Sequence, residues 1–246
     1  MKAIADLHSH STYSDGRGTV TENIRAAAAI GLERYAITDH GPQNIGVGVG
    51  DENKYLVIKE EVRGLRESFP DLQVLVGAEA DIISLEGDID LSRETIEALE
   101  LLIVGLHPYV WPKTWKDGWD FVLSNQTLRV TRSMEEKVRC RNTKALVEAM
   151  ARYPVDIVSH PNLEMPVEIR EVARACHKYG SAYEINTGHN FQTIEDVLTA
   201  AKEGVTFVVN SDAHFPESIG RLDIGIELLE RAGVSPEQTL NLKAEQ

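Results

Sequence analysis

Apolar positions along this chain gather in short runs, and between the runs lie longer stretches with helical spacing. Seven runs read as buried strands: Ile4–His8, Arg34–Thr38, Leu72–Ala80, Leu101–Leu106, Val155–Ser159, Ala182–Ile185 and Thr206–Asn210. Short apolar blocks bounded by turn formers suit strands covered on both faces. Helical patterns occupy Thr21–Ile30, Glu52–Ser68, Ser92–Leu99, Ser133–Arg152, Pro166–Tyr179 and Thr193–Glu203. Thr21-Glu-Asn-Ile and Ser92-Arg-Glu-Thr each set a hydroxyl ahead of a first turn, where a helix start needs an acceptor. Gly31, Gly180 and Gly204 stand just past helices, where a left-handed residue is wanted. This alternation predicts βα units around a parallel sheet, closed or nearly closed into a barrel, with an open doubly wound sheet as the second architecture. No repeat, linker or low-complexity segment divides the chain, so 1–246 is expected to be one domain.

Polar residues crowd the places where these strands end. The first run carries Asp6-Leu-His8-Ser-His10, whose alternation would set all three side chains on one face, and Asp15-Gly16 then turns the chain. Later runs end in Thr38-Asp39-His40-Gly41, Gly77-Ala78-Glu79-Ala80, Gly105-Leu106-His107-Pro108, Ser159-His160-Pro161, Glu184-Ile185-Asn186 and Asn210-Ser211-Asp212-Ala213-His214. Six of the eight histidines lie at such ends, which in a parallel barrel meet at the catalytic rim. Glu79 sits inside an apolar strand, so its carboxylate must be paired, protonated or metal-bound. Singly, His40 could cap a turn and His107 or His160 could precede a proline bend; jointly, the set argues for nitrogen and oxygen ligands to metal. His177, beside Lys178, reads as solvated. His189 follows the sixth strand, placed either to touch substrate or as a plain loop histidine.

Composition narrows the classes. A net charge of −14 argues against a general nucleic-acid or membrane-surface binder. No charged-then-apolar leader and no apolar run near membrane-spanning length is present, so no membrane partner is expected. Cys140 and Cys176 lack finger or CxxC spacing, which suits reduced thiols in a cytoplasm. One segment departs from the acidic background: 109–141 is too long for a simple βα connection and holds all three tryptophans, Trp111, Trp115 and Trp119. It is rich in basic residues, so a lid over the rim is expected, with Arg129, Arg132, Arg139 and Arg141 meeting phosphate. The alternative is a surface loop whose tryptophans pack on a helix or on a second copy, as in a homo-oligomer.

Taken in order, Asp6-Leu-His8-Ser-His10, Ser14-Asp15-Gly16, Thr38-Asp39-His40, Gly77-Ala78-Glu79, His107, Ser159-His160-Pro161 and Ser211-Asp212-Ala213-His214 resemble the PHP (polymerase and histidinol phosphatase) superfamily. Ala36-Ile-Thr-Asp-His-Gly-Pro42 and Gly87-Asp-Ile-Asp90 are most similar to its bacterial phosphatase-like branch. The resemblance implies a distorted (β/α)7 TIM-like barrel with a di- or trinuclear metal site at the C-terminal rim of the strands. It places one ion on His8, His10, Glu79 and Asp212, and lets Glu79 bridge to a second held by His107 and His160. A third falls on Asp15, His40 and His214; some relatives carry histidine where Asp15 stands. Glu79, Asp212 and His214 are the expected catalytic side chains. Two or three divalent ions are expected, zinc first, with iron or manganese as alternatives. Such ions bind phosphate oxygens and lower the pKa of a shared water to about 7. Asp6 and Asp39 are expected either to orient neighbouring histidines or to be ordinary strand-end carboxylates. The activity implied is metal-dependent hydrolysis of a small phosphorylated metabolite, histidinol phosphate being one candidate. The alternatives are a nuclease or oligonucleotide phosphodiesterase, which the acidic charge disfavours, and a non-catalytic metal-binding regulator.

Overall fold

The computed structural model describes residues 1–127 and 132–245. A short antiparallel pair, β1 (Lys2–Ala3) with β9 (Leu242–Lys243), ties the two ends of the chain together. Seven parallel strands follow one another in sequence order: β2 (Ala5–Asp6), β3 (Arg34–Ile37), β4 (Gln73–Asp81), β5 (Leu101–Gly105), β6 (Ile157–Val158), β7 (Ala182–Asn186) and β8 (Phe207–Asn210). Registers such as Glu79 opposite Ile103, Val104 opposite Val158 and Asn186 opposite Asn210 align the strand ends on one rim. Between β2 and β8 there is one parallel bridge, Ser9 to Ala213, in place of a ladder. Side chains complete the seam: Asn210 Oδ1 accepts from the Leu7 amide at 3.0 Å, and Asp6 accepts from the Ser211 amide at 3.1 Å. The barrel is therefore nearly closed.

Two apolar layers account for the strand composition. Ala5, Leu7, Ala36, Leu101, Ile103, Ile157, Ala182 and Val208 fill the interior, where alanines keep the small barrel from overpacking. The other strand faces pack outward under α1 (Val20–Ala29), α2 (Asn53–Leu65), α3 (Arg93–Ala98), α6 (Arg132–Arg152), α7 (Ile169–Tyr179), α8 (Ile194–Ala201) and α9 (Asp223–Arg231). The helix after β8, α9, was not evident from the hydrophobic pattern. The cap of α1 is Thr19 and not Thr21: its hydroxyl accepts from the Glu22 amide at 3.2 Å, and Glu22 accepts from the Thr19 amide at 2.8 Å. Ser92 caps α3 as expected. Gly31, Gly180 and Gly204 have φ of 76°, 81° and 74°, as their positions after helices require.

Of Asp6, His8 and His10, expected on one face, the two histidines share it and Asp6 does not. Ladder pairing stops at Asp6, Ala5 and Leu7 both line the interior, and the chain leaves regular strand geometry before His8.

The tryptophan segment starts as a bridge across the rim. The Ile45 amide donates to Tyr109 O at 2.8 Å, and the Trp111 amide donates to Gln43 O at 2.9 Å, joining the loops after β3 and β5. Short helices α4 (Trp115–Asp117) and α5 (Ser124–Thr127) flank a wider π-helical stretch, Gly118–Leu123. Phe121 is fully buried, and Asn125 and Asn142 exchange amide hydrogen bonds of 2.9 and 2.8 Å, anchoring the segment on α6.

Candidate metal centre

Six histidines are delivered by five strand ends, and five of them close a ring of rings. Centroids of His8 and His10 are 5.1 Å apart, His10 and His40 4.4 Å, His40 and His107 5.0 Å, His107 and His160 5.0 Å, and His8 and His160 6.0 Å. His214 stacks on the other side of His10 at 4.4 Å. Glu79, fully buried, occupies the middle. Its Oε1 lies 2.8 Å from His160 Nε2 and 3.5 Å from His107 Nε2. Its Oε2 lies 3.0 Å from His40 Nδ1, 3.3 Å from His8 Nε2 and 3.7 Å from His10 Nε2. One oxygen thus faces two imidazoles and the other faces three. Gly105 makes the space: a Cβ there would stand 3.1 Å from Glu79 Oε1 and 3.0 Å from His107 Cε1.

The electrostatics match this crowding. Burial alone would raise the Glu79 pKa, but His8, His107, His40 and His160 outweigh it and hold the carboxyl well below its usual range. Asp212 is likewise held down against burial, by His8 and by hydrogen bonds from His10 and His189. Asp15 falls to about 2, burial being outweighed by the His214 hydrogen bond and the charges of His10 and His40. His40 rises to about 9 because Glu79, Asp81 and Asp15 overcome its burial.

The residues fit divalent cations. His8 Nε2, His10 Nδ1, His40 Nδ1 and Glu79 Oε2 are buried with no hydrogen-bond partner. Each such atom costs about 1–3 kcal/mol if left unmet, and cations among them would satisfy all four. Among the described residues, three groups bring ligand atoms within 4.8 Å of one another: His8, His10 and Asp212; His40, Glu79 and His107; and His10, Asp15, His40 and His214. The first holds three of the four side chains expected around one ion, without Glu79, and the third holds Asp15, His40 and His214 together with His10. In the second, His40 stands where His160 was expected, while His160 reaches Glu79 directly.

Two carboxylates with no role assigned from the sequence, Glu184 and Asp81, aim the ring. Glu184, fully buried, accepts from His8 Nδ1 at 2.7 Å and turns Nε2 toward Glu79. Asp81 holds His107 Nδ1 in the same way. His214 Nδ1 donates to Asp212 O at 2.9 Å, leaving Nε2 3.2 Å from Asp15 Oδ2. Asp6 and Asp39 do not orient histidines. Asp6 accepts from Ser211 and from the Gly220 amide at 2.8 Å, and Asp39 accepts from the Ser11 amide at 2.7 Å and from the Ser11 and Ser14 hydroxyls. Both therefore clamp the loops that present Asp212 and Asp15. Backbone strain gathers here too, with His160 at φ 25° and Asp212 at φ 51°.

His189 stands at the mouth, 48% exposed, with Nε2 3.3 Å from Asp212 Oδ2. Arg139 pairs with Glu168 at 2.6 Å, and Arg141, on the same helix, is half-buried. Arg129 lies outside the described residues, and Arg132 opens α6. Lys113 of the tryptophan segment and Lys144 of α6 meet acids of the loop after β4: Lys113 lies 2.8 Å from Asp88 and Lys144 2.8 Å from Glu86. His177 Nδ1 donates to Gly204 O at 2.8 Å, remote from the ring. A groove of about 590 Å³ runs beside the rim, lined by Ile45, Val110, Trp111, Trp115, Trp119 and Val122.

The model of the PHP domain matches residues 6–211. A "probable phosphatase" of Thermoanaerobacter sp. strain X514 is 30% identical, covering 98% of this chain and 91% of that protein. A "probable phosphatase" of Caldanaerobacter subterraneus subsp. tengcongensis is 32% identical, covering 98% of this chain and 88% of the relative. Among solved structures, histidinol phosphate phosphatase from Lactococcus lactis, complexed with zinc, L-histidinol and phosphate, superposes with a TM-score of 0.66. At 18% identity over 97% of this chain and 95% of that one, it shares the barrel fold.

Proposed function

The chain belongs to the PHP domain family, and from that premise we propose that it is a metal-dependent phosphatase of a small phosphomonoester. The observation that carries this reading is Glu79, a buried carboxylate facing five imidazoles within 3.7 Å, with its own Oε2 and three buried histidine nitrogens left unmet. His8, His10, Asp15, His40, Glu79, His107, His160, Asp212 and His214 would hold two or three divalent ions. Zinc is the first candidate, since the relative from Lactococcus lactis was solved with zinc, and the imidazole and carboxylate donors suit iron or manganese as well. Such ions supply charge neutralisation for a phosphate dianion and activation of a water at neutral pH.

The chain's own residues do the rest. Glu79 keeps the ring of histidines at fixed spacing, and Asp212 and His214 face the mouth where an ester would enter. His189, half exposed beside Asp212, would donate a hydrogen bond to a phosphate oxygen. Arg139 and Arg141 are the described arginines proposed to meet phosphate, Arg139 by exchanging Glu168 for it. The tryptophan groove begins three residues beyond His107 and would take the organic half of the substrate. A histidinol phosphate-like ester suits it, having a flat ring and one phosphate. A cytoplasmic setting is proposed for the two free cysteines; among the described residues no helix is long and apolar enough to cross a membrane.

The test is a substrate panel on metal-loaded protein: p-nitrophenyl phosphate, its bis-ester, a single-stranded oligonucleotide and a set of phosphometabolites including histidinol phosphate. Hydrolysis of monoesters well above diesters is expected. Preference for the bis-ester or the oligonucleotide would shift the assignment to a phosphodiesterase, and no turnover on any would leave a metal-binding regulator.

A further inference from the structure

Glu184 is the fully buried carboxylate at the base of the histidine ring, and every acceptor direction it has is used. Oε1 accepts from His8 Nδ1 at 2.7 Å and from Asn210 Nδ2 at 2.9 Å. Oε2 accepts from the His160 backbone amide at 2.7 Å and from Asn186 Nδ2 at 3.1 Å. The asparagines cannot turn their amides round. Asn210 Oδ1 is held by the Leu7 amide at 3.0 Å, and Asn186 Oδ1 by the His189 amide at 3.1 Å. The shell is therefore made of donors only, and a carboxylate is the group that answers four donors.

We propose that Glu184 is a positioning residue that sets two candidate metal-binding histidines at once, fixing His8 with its proton on Nδ1 and holding the strained backbone of His160. The inference rests on the metal-centre reading. With Nδ1 committed as donor to Glu184, His8 presents Nε2 as a bare lone pair toward Glu79 and Asp212, at 3.3 and 3.6 Å. At His160, φ is 25°, a conformation a residue with a Cβ seldom adopts unless the surroundings hold it. The Glu184 bond to its amide supplies that hold, and His160 Nε2 is thereby brought 2.8 Å from Glu79 Oε1. One carboxylate thus couples the placement of two neighbouring histidines that face different oxygens of Glu79. Asp81 resembles it in one respect only, since it orients the single ring of His107.

Glutamine at 184 keeps the shape and loses an acceptor. Its NH2 must face either His8, forcing the His8 proton onto Nε2, or the His160 N–H, setting two donors against each other. Apoprotein is prepared by chelation, and zinc affinity is read by competition with a chromophoric chelator, alongside 15N-histidine spectra of the zinc-loaded protein. Glu184→Gln is expected to weaken zinc binding 10- to 100-fold, the usual cost of losing such an outer partner, and to remove the hydrogen-bonded Nδ1–H resonance of His8. Unchanged zinc affinity with that resonance intact would overturn the proposal. If Glu184→Gln fails to fold by circular dichroism, Glu184→Asp decides. It keeps four acceptor directions but is too short to span His8 and His160, so weaker zinc is again expected and wild-type affinity again contradicts. A wild-type chain that binds no zinc would remove the metal-centre reading itself, a result distinct from equal binding by wild type and variant.

Discussion

Glu79 Oε1 stands 2.8 Å from His160 Nε2, though the two residues come from strands 81 positions apart in the chain. Ligands drawn from so far apart in sequence are held together by the barrel register, not by local structure. Replacing Glu79 should therefore damage the site and spare the fold. Glu79→Gln is expected to lower kcat at least 100-fold and to reduce bound metal, since a neutral amide bridges two cations poorly. Elemental analysis and circular dichroism check both halves. Full metal content with wild-type turnover would show that Glu79 is not the centre.

Asp15 tests the third group of ligands. Its carboxylate is one-quarter exposed and sits 3.2 Å from His214 Nε2 and 3.8 Å from His40 Nε2. Asp15→Asn should lower metal content by about one ion per chain and reduce turnover. If Asp15 serves only the turn, metal stays constant and the variant loses about 1 kcal/mol of stability.

His189 separates substrate contact from metal binding. Its ring pairs with Asp212 yet is open to solvent. His189→Ala should reduce kcat/KM by about 10- to 100-fold, the effect of a lost charge-assisted hydrogen bond, with metal content unchanged. Unaltered kinetics on the best substrate would return His189 to the plain loop.

Asp88 gives a pH-dependent prediction for the tryptophan segment. It lies 2.8 Å from Lys113 and 2.8 Å from Arg152, and accepts from Ser84 at 2.7 Å. These partners outweigh its burial and hold its pKa down at about 2. A depressed carboxyl stabilises the fold above its unfolded pKa near 4 and loses that contribution as pH falls toward 2. Asp88→Asn should cost about 0.5–1 kcal/mol at pH 6 and progressively less by pH 3, as read by chemical denaturation. A difference that stays constant with pH would contradict the ion-pair account.

Much of the site was legible because strand ends are short, polar and easily told from the apolar runs before them. His8, His40, Glu79, His107, His160 and Asp212 could be assembled from that rule and the barrel alone. Glu184 stands among the polar strand ends but carries no assigned role there, although it sits inside an apolar strand just as Glu79 does and the same burial argument applies to it. Asp81 follows Glu79 at the strand period and was equally open to view. What the sequence could not show is where long side chains go. Arg139 reads from the sequence as free to meet phosphate, yet it lies on Glu168, just as Lys113 and Lys144 lie on Asp88 and Glu86. The Asp6 clamp on Ser211 and Gly220 was hidden for the same reason, since strand alternation stops where β2 ends.

The central claim is that hydrolysis of a phosphomonoester depends on divalent ions held around Glu79. The direct measurement is p-nitrophenyl phosphate turnover before chelation, after chelation and after titration back with zinc or manganese, with bound metal counted by elemental analysis. Activity should vanish in the apoprotein and return as at least two ions bind per chain. Turnover that persists without metal, or fewer than one ion bound after reconstitution, would contradict the account.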